Sequence, residues 1–148
     1  MTLTIGFLGG GNMASALLGG LVRKTEGARL HVTDHNAPKL EKLAALGVTT
    51  HETTGDWISE CDLFVLAVKP QVMKEALVPV KPLLKKGGAA LSIAAGIEGS
   101  VLSGWLGGYP VIRAMPNTPA LVGAGLSGLW VPEGTSPEHA EAAEFVMR

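Results

Sequence analysis

The chain has 148 residues, of which 47% are hydrophobic, and this composition fits one globular domain with a real core and argues against intrinsic disorder. Its 12 basic and 13 acidic side chains give a formal net charge of -1, which argues against nucleic acid or an anionic membrane as the main partner. The single cysteine, Cys61, excludes an internal disulfide and a multi-cysteine metal site.

Arg23 is the first charged residue, so the uncharged start of the chain has to be compared with a signal peptide and with a membrane span. A signal peptide requires basic residues near its start. A glycine-rich break at residues 9–12 leaves an apolar run that is too short to cross a bilayer. The sequence therefore predicts a cytoplasmic protein without a membrane partner.

Strand and helix patterns alternate along the chain with short connections. Short apolar or β-branched runs predict strands at 2–8, 30–33, 48–50, 63–68, 89–93, 111–114 and 125–131. Helical spacing of apolar residues predicts helices at 12–23, 38–46, 56–60, 71–84, 100–106 and 137–147. Pro79 and Pro82 must break the second half of 71–84. The alternation predicts an α/β fold of the Rossmann type, in which a doubly wound, mostly parallel sheet carries helices on both faces.

The first predicted helix is indicated by apolar and small residues at helical spacing. They are Met13, Ala16, Leu17, Gly20 and Leu21.

A glycine-rich turn joins the first strand to the first helix. Residues 9–14 read Gly-Gly-Gly-Asn-Met-Ala and match G-x-G-x-x-A between a strand and a helix. In that motif Gly9 permits the tight turn, Gly11 lets a pyrophosphate approach the backbone, and Ala14 lets the helix pack on the strand. A surface turn without a ligand is the alternative interpretation. We predict a dinucleotide site formed by Gly9, Gly10, Gly11, Asn12, Met13 and Ala14.

Asp34 follows the second predicted strand and lies 20 residues after Ala14. An acidic residue at that place bonds the ribose hydroxyls of an adenosine, and it favours NAD over NADP because it repels a 2′-phosphate. The following residues are rich in turn formers, so a plain turn residue is the alternative.

Two further segments follow strands at the edge where open α/β sheets bind ligands. Pro70 holds Lys69 extended, so the backbone there can run alongside a cofactor, although a solvated strand end is an equal alternative. Residues 113–119 read Arg-Ala-Met-Pro-Asn-Thr-Pro. The two prolines stiffen this loop while Asn117 and Thr118 offer hydrogen bonds, as in a binding loop. A rigid surface turn would have the same spacing.

Nothing in the sequence predicts a metal site or a hydrolase. The four histidines have no ligand spacing, and the sequence contains neither a P-loop nor G-x-S-x-G. Cys61 lies just before a predicted buried strand, where a structural thiol is expected.

Four stretches of the sequence occur together in a specific order. They are residues 5–14, 67–71, 92–97 and 113–119, the last of which contains Met-Pro-Asn-Thr-Pro. In these motifs the chain resembles the amino-terminal domain of pyrroline-5-carboxylate reductases over essentially its whole length. The resemblance implies reduction of 1-pyrroline-5-carboxylate to L-proline with NADP or NAD as cofactor, the last step of proline biosynthesis. This chain would supply the cofactor-binding half of that enzyme.

The resemblance also implies roles for single residues. The backbone of Ala67, Val68, Lys69 and Pro70 would run along the cofactor toward the nicotinamide. Ala95 and Gly96 would lie near the nicotinamide, and so would the loop formed by Met115, Pro116, Asn117 and Thr118. Thr54 stands where some members have an asparagine that contacts the adenosine. No residue of the chain is implied as catalytic, so the proton donor is either elsewhere or water.

The family also has an all-helical second domain that binds the substrate carboxylate and forms the dimer. We therefore expect residues 1–131 to form the dinucleotide-binding domain. Residues 132–148 would be a connecting segment and the start of a helix leading to a missing helical domain. The full-length protein would be a homo-oligomer through that domain. The last helix would turn five apolar residues toward it, namely Ala140, Ala143, Phe145, Val146 and Met147.

Two other functions remain open at this point. Another NAD(P)-dependent dehydrogenase, of the 2-hydroxyacid or 3-hydroxyacid type, would share the glycine motif. A sensing or interaction module would bind NAD(P) without catalysis, and the fold alone permits either.

Overall fold

The computed structural model describes residues 3–24, 29–94, 96–114, 129–132 and 134–147. The strands in these ranges are β1 (Thr4–Leu8), β2 (Arg29–Thr33), β3 (Thr49–His51), β4 (Leu63–Leu66), β5 (Ala89–Ser92), β6 (Val111–Ala114) and β7 (Leu129–Trp130). They form one sheet in the order β3-β2-β1-β4-β5-β6-β7. All neighbouring pairs are parallel except β6 and β7, which are antiparallel. The predicted α/β fold is confirmed.

The helices are α1 (Asn12–Lys24), α2 (Ala37–Ala45), α3 (Pro70–Leu77), α4 (Gly99–Trp105) and α5 (Pro137–Met147), with 3-10 turns at Asp56–Glu60 and Lys81–Leu83. The proline break predicted within 71–84 is confirmed, because α3 ends at Leu77 and Pro82 lies in a 3-10 turn. Pro70 occupies the first position of α3, where its missing N–H costs no helical hydrogen bond.

Two apolar clusters, one on each face of the sheet, form the core. Ile5 and Phe7 of β1 pack in the cluster that includes buried residues of α1, α2 and α5. Leu8 packs in the other cluster, with buried residues of α3 and α4. Because successive strand residues point to opposite faces, a central strand of this sheet is apolar throughout, which explains the continuous apolar runs in the sequence.

Strand register places the segments predicted to bind a ligand along one edge of the sheet. Leu8 pairs with Thr33 on one side and with Leu66 on the other. The residues that follow these strand ends, from Gly9, Asp34 and Ala67 onward, therefore leave the sheet side by side. The strand order reverses between β1 and β4, and ligands of open α/β sheets bind at the carboxyl edge beside such a reversal.

The apolar residues at helical spacing in α1 are not all buried. Leu18 and Leu21 lie in the core with Ala14, the residue of the glycine motif expected to pack on the strand, whereas Met13 is 58% exposed. The first turn of α1 faces the carboxyl edge of the sheet, so Met13 has no core to pack against.

The expected outward apolar face of α5 is also wrong for two of its residues. Ala143 and Val146 are buried in the same cluster as α1 and α2, and α5 contacts α1, β4 and β6. Phe145 and Met147 are partly buried against that cluster. This helix therefore covers one face of the sheet rather than projecting from it.

Within the ranges that the structure describes, no helix is long and apolar enough to cross a membrane. Of the strand predicted at 125–131, residues 129–130 form β7, and 125–128 lie outside the described residues.

Candidate functional site

Gly9 is required by the backbone at the end of β1. Its φ is +101°, a region that only glycine adopts readily, and a Cβ there would lie 3.0 Å from the carbonyl carbon and oxygen of Ala67. Its N–H donates to the carbonyl oxygen of Thr33 at 2.8 Å. Gly9 therefore holds the turn that follows β1 close to the ends of its two neighbouring strands, β2 and β4.

Gly11 has the opposite environment, because a Cβ built there would meet no atom within 4 Å. Its carbonyl oxygen accepts the N–H of Ser15 at 2.8 Å, which starts α1. By helix geometry the N–H groups of Asn12 and Met13 precede the first helical hydrogen bond and lie at the positive end of the helix dipole. The open side of Gly11 beside these donors is suited to an anion such as a phosphate.

Asp34 ties the glycine turn to the end of β2. Its Oδ2 accepts the N–H of Gly10 at 2.7 Å, and its Oδ1 accepts the N–H of Asn36 at 2.8 Å. The side chain of Asn36 in turn accepts the N–H of Lys39 and caps α2. Asp34 is thus a turn residue, as one interpretation of the sequence held, and at the same time it lines the cavity described next.

A cavity of about 580 Å³ opens along this edge of the sheet, within the range of about 300–1,000 Å³ that small-molecule sites occupy. One wall is mostly apolar and comes from α3 and the segments beside it, at Val68, Val72, Ala76 and Pro79. The opposite wall is polar and follows β2 and β3, at Thr33, Asp34, His35, Glu52, Thr53 and Thr54. Leu8 and Gly9 also line the cavity. An apolar wall facing hydrogen-bonding groups suits a planar base attached to a sugar.

Several residues that the sequence predicted for the site meet here. Gly9, Asp34, Thr54 and Val68 line the cavity, and Gly10 is joined to it by its bond to Asp34. The remaining predicted residues of the described chain lie near the carboxyl ends of the strands. They are Gly11 before α1, Asn12, Met13 and Ala14 in the first turn of α1, Ala67 and Lys69 between β4 and α3, Pro70 at the first position of α3, and Gly96 after β5. Ala95, Met115, Pro116, Asn117 and Thr118 lie outside the described residues.

Sequence reasoning missed the contribution of α3 to the cavity. Val72 and Ala76 are four residues apart and so share one face of the helix, and Glu75 lines the cavity beside them. Their spacing is visible in the sequence, but only the placement of α3 beside β4 shows what that face meets. Glu52 was missed for the same reason, because it lines the cavity only by following β3 at the carboxyl edge of the sheet.

The groups with large pKa shifts lie away from this cavity. Burial raises the pKa of the Cys61 thiol to about 12 and that of the Tyr109 phenol to about 12, so both stay protonated near neutral pH. They precede β4 and β6, at the opposite edge of the sheet. The parts of the chain that the structure describes contain no group of three or more side chains placed to hold a metal ion.

The chain is similar in sequence and in fold to several proteins named as reductases. The chain is 39% identical over 145 residues to the pyrroline-5-carboxylate reductase of Pseudomonas aeruginosa, covering 96% of this chain and 53% of that protein. The solved pyrroline-5-carboxylate reductase of Coxiella burnetii matches with a TM-score of 0.84 and 32% identity, covering 97% of this chain and 55% of that one. The Plasmodium falciparum pyrroline carboxylate reductase with NADP bound shares the fold, with a TM-score of 0.72 at 21% identity, covering 98% of this chain and 54% of that one.

The chain thus spans about half the length of the curated relatives it matches. A family model described as NADP oxidoreductase, coenzyme F420-dependent, matches residues 4–96. That range contains the glycine turn, Asp34 and every described residue that lines the cavity. Because it covers more than half of the chain, the protein belongs to the NADP oxidoreductase, coenzyme F420-dependent, family.

Proposed function

We propose that the chain is the cofactor-binding half of an enzyme that reduces 1-pyrroline-5-carboxylate to L-proline with NAD(P)H, the last step of proline biosynthesis. The observation that carries the proposal is the glycine turn beside the cavity, fixed by the hydrogen bond of 2.7 Å from the Gly10 N–H to Asp34 Oδ2. The identity of 39% to a pyrroline-5-carboxylate reductase supports the choice of substrate.

The described residues fit one end of a dinucleotide. The open side of Gly11 leaves space for a pyrophosphate, and the first-turn N–H groups of Asn12 and Met13 would donate to it. The adenosine would occupy the cavity, with its base on the apolar wall near Val72. Asp34 would accept hydrogen bonds from the ribose hydroxyls, since its position at the end of β2 suits that role.

The other end of the cofactor would follow the carboxyl edge past the end of β4. In this proposal the backbone of Ala67, Val68, Lys69 and Pro70 leads toward the nicotinamide, near Ala95 and Gly96. The loop containing Met115, Pro116, Asn117 and Thr118 would complete that end together with the substrate. Bound NAD(P)H would supply the hydride for the C=N carbon, and the chain would hold the cofactor in position and keep water away. We assign no catalytic proton donor to this chain.

The proposal includes a division of the full-length protein. Residues 1–131 would form the dinucleotide-binding domain, and 132–148, whose helix α5 packs on that core, would connect it to a helical domain that makes a homo-oligomer. The partner would be a small-molecule substrate rather than nucleic acid, in keeping with the net charge of -1. A cytoplasmic location remains a prediction of the sequence.

The test has two parts. Calorimetry on this chain should detect saturable binding of NADH or NADPH, and proline-dependent reduction of NAD(P)⁺ should be found in the full-length parent. If the chain binds the cofactor and the parent oxidises a hydroxyacid but not proline, the protein is another NAD(P)-dependent dehydrogenase and the proposal is wrong. If the chain binds the cofactor but the parent turns over neither substrate, the protein is a sensing module. If the chain binds neither NADH nor NADPH, the dinucleotide site is not where we place it.

A further inference from the structure

The charges around the cavity are almost all of one sign. Three carboxylates line it, from Asp34 after β2, Glu52 after β3 and Glu75 on α3. Among the described residues that line it, His35 alone can carry a positive charge, and no lysine or arginine is present. Glu52 and Glu75 come from opposite walls, so a ligand between the walls meets negative charge on both sides.

This arrangement bears on the difference between the two nicotinamide cofactors. NADPH differs from NADH by a phosphate on the 2′-hydroxyl of the adenosine ribose, with nearly two negative charges at neutral pH. Sites that accept this phosphate provide an arginine near the end of the second strand, whereas an acidic residue there binds the free hydroxyl. In this chain the corresponding region offers carboxylates from three separate segments.

Asp34 is also held in place. Its two carboxylate oxygens accept N–H groups of Gly10 and Asn36 at 2.7 and 2.8 Å. Moving the side chain away to admit a phosphate would break both hydrogen bonds and release the glycine turn. The charge of Asp34 that would repel a 2′-phosphate is therefore fixed in place by the same turn that would bind the pyrophosphate.

We infer that the cavity selects the dinucleotide without a 2′-phosphate, and that Glu52 and Glu75 act with Asp34 as the residues that determine this selectivity. The inference rests on the proposed function, because it takes the cavity as the adenosine site. Glu52 and Glu75 act through space on the phosphate, and neither makes a hydrogen bond that shapes the glycine turn among the described contacts.

The test compares affinities in the 148-residue chain, using NADH and NADPH as probes. The ratio of the dissociation constant for NADPH to that for NADH should exceed one in the unchanged chain. In the double variant Glu52→Gln, Glu75→Gln that ratio should fall about fivefold, because two charges near the phosphate are removed. The affinity for NADPH should change more than the affinity for NADH, since NADH lacks the phosphate. Glu141→Gln, an exposed change on α5, is the matched control and should leave the ratio unchanged.

A salt series gives an independent readout. Raising the ionic strength screens the repulsion, so the ratio should fall with added salt in the unchanged chain and fall less in the double variant, where only the charge of Asp34 remains. A ratio at or below one in the unchanged chain, or the same ratio in the double variant, would overturn the inference while leaving the proposed function intact. If neither cofactor binds, the proposed function fails and the inference fails with it.

Discussion

Gly9 and Gly11 belong to one sequence motif, yet the structure gives them different tasks. Gly9 has a positive φ and no room for a Cβ beside the backbone of Ala67, whereas Gly11 has open space on its free side. Gly9 is therefore needed by the fold, and Gly11 is free to serve a ligand. A substitution at each position separates the two tasks.

We expect Gly11→Val to abolish detectable dinucleotide binding without lowering the thermal midpoint by more than a few degrees. The branched side chain would fill the space that a pyrophosphate needs, whereas its Cβ would meet no atom of the folded chain within 4 Å. Calorimetry with NADH and thermal unfolding followed by circular dichroism measure the two effects. Gly9→Val is the contrasting variant and should lose stability. Unchanged NADH affinity in Gly11→Val would show that the phosphate site is elsewhere.

Asp34→Ser should shift the cofactor preference toward NADPH. The substitution removes the charge that repels a 2′-phosphate, and the shorter side chain cannot accept both the Gly10 and Asn36 N–H groups. Loss of one such hydrogen bond costs about 1 kcal/mol, so some loss of stability should accompany the shift. Affinities for both cofactors and the free energy of unfolding in urea are the measurements. An unmoved NADH-to-NADPH ratio would make Asp34 a turn residue only.

At this scale the sequence predicts residues whose roles depend on local backbone geometry, and it misses those whose roles arise from distant neighbours. Gly9 could be identified because strand, turn and helix are contiguous in the glycine motif, and Asp34 because it directly follows the second predicted strand. The glycine motif assigned Met13 to the dinucleotide site as well, but helical spacing alone did not show that its side chain is exposed. Glu52 and Glu75 are separated along the chain and meet only through the placement of β3 and α3 beside one cavity.

At the scale of elements, three aromatic rings from two neighbouring strands and a 3-10 turn stack against one another. His31 of β2, His51 of β3 and Trp57 of the 3-10 turn form this stack, with His51 and Trp57 ring centroids 4.2 Å apart. His31 Nδ1 and His51 Nε2 are 2.9 Å apart. Burial lowers the pKa of both histidines, and in addition the charge of Arg29 lowers the pKa of His31 while Glu60 raises it.

The stability of the fold should therefore decrease as the pH falls below about 6.5, the ordinary histidine pKa. A histidine with a lowered pKa in the folded state binds fewer protons there than in the unfolded chain, so stability rises with pH across that window. Urea unfolding between pH 5 and pH 8 measures this, and His51→Gln should flatten the slope between pH 5 and 6.5. The pKa of Asp62 is also lowered, but it acts in a more acidic range. Equal slopes in both proteins would contradict the assignment to this stack.

Element bounds follow the sequence closely where a residue type imposes them. Pro79 ends α3 near the place where the sequence requires a break, and Pro70 starts it. The direction in which a helix packs is harder to predict. The apolar character of Ala143 and Val146 in α5 does not distinguish a neighbouring domain from the sheet of the same domain. The structure buries both residues on the sheet.

At the scale of the whole molecule, the proposed cofactor would join parts of the sheet that lie on either side of β1. The cavity takes one wall from the ends of β2 and β3 and the other from α3, so a bound dinucleotide would restrain both. NADH at 100 times its dissociation constant should stabilise the fold by about 2.7 kcal/mol. For a domain of this size that corresponds to a rise of roughly 5–10 °C in the thermal midpoint. Gly11→Val is the control, and an equal rise in that variant would mean that NADH acts without occupying the site.

The last prediction separates cofactor binding from catalysis: the 148-residue chain should bind NADH but turn over 1-pyrroline-5-carboxylate hardly at all. The phosphate site is formed within one strand–turn–helix unit, whereas the resemblance places the substrate carboxylate in a helical domain, and the chain spans about half the length of its relatives. Loss of the groups that orient substrate forfeits much of the roughly 7–11 kcal/mol that positioning can supply. NADH fluorescence titration and turnover over a range of chain concentrations measure the two properties. Substantial turnover proportional to concentration would show that these residues hold a complete active site, because a site shared between copies would make the rate rise more steeply than the concentration.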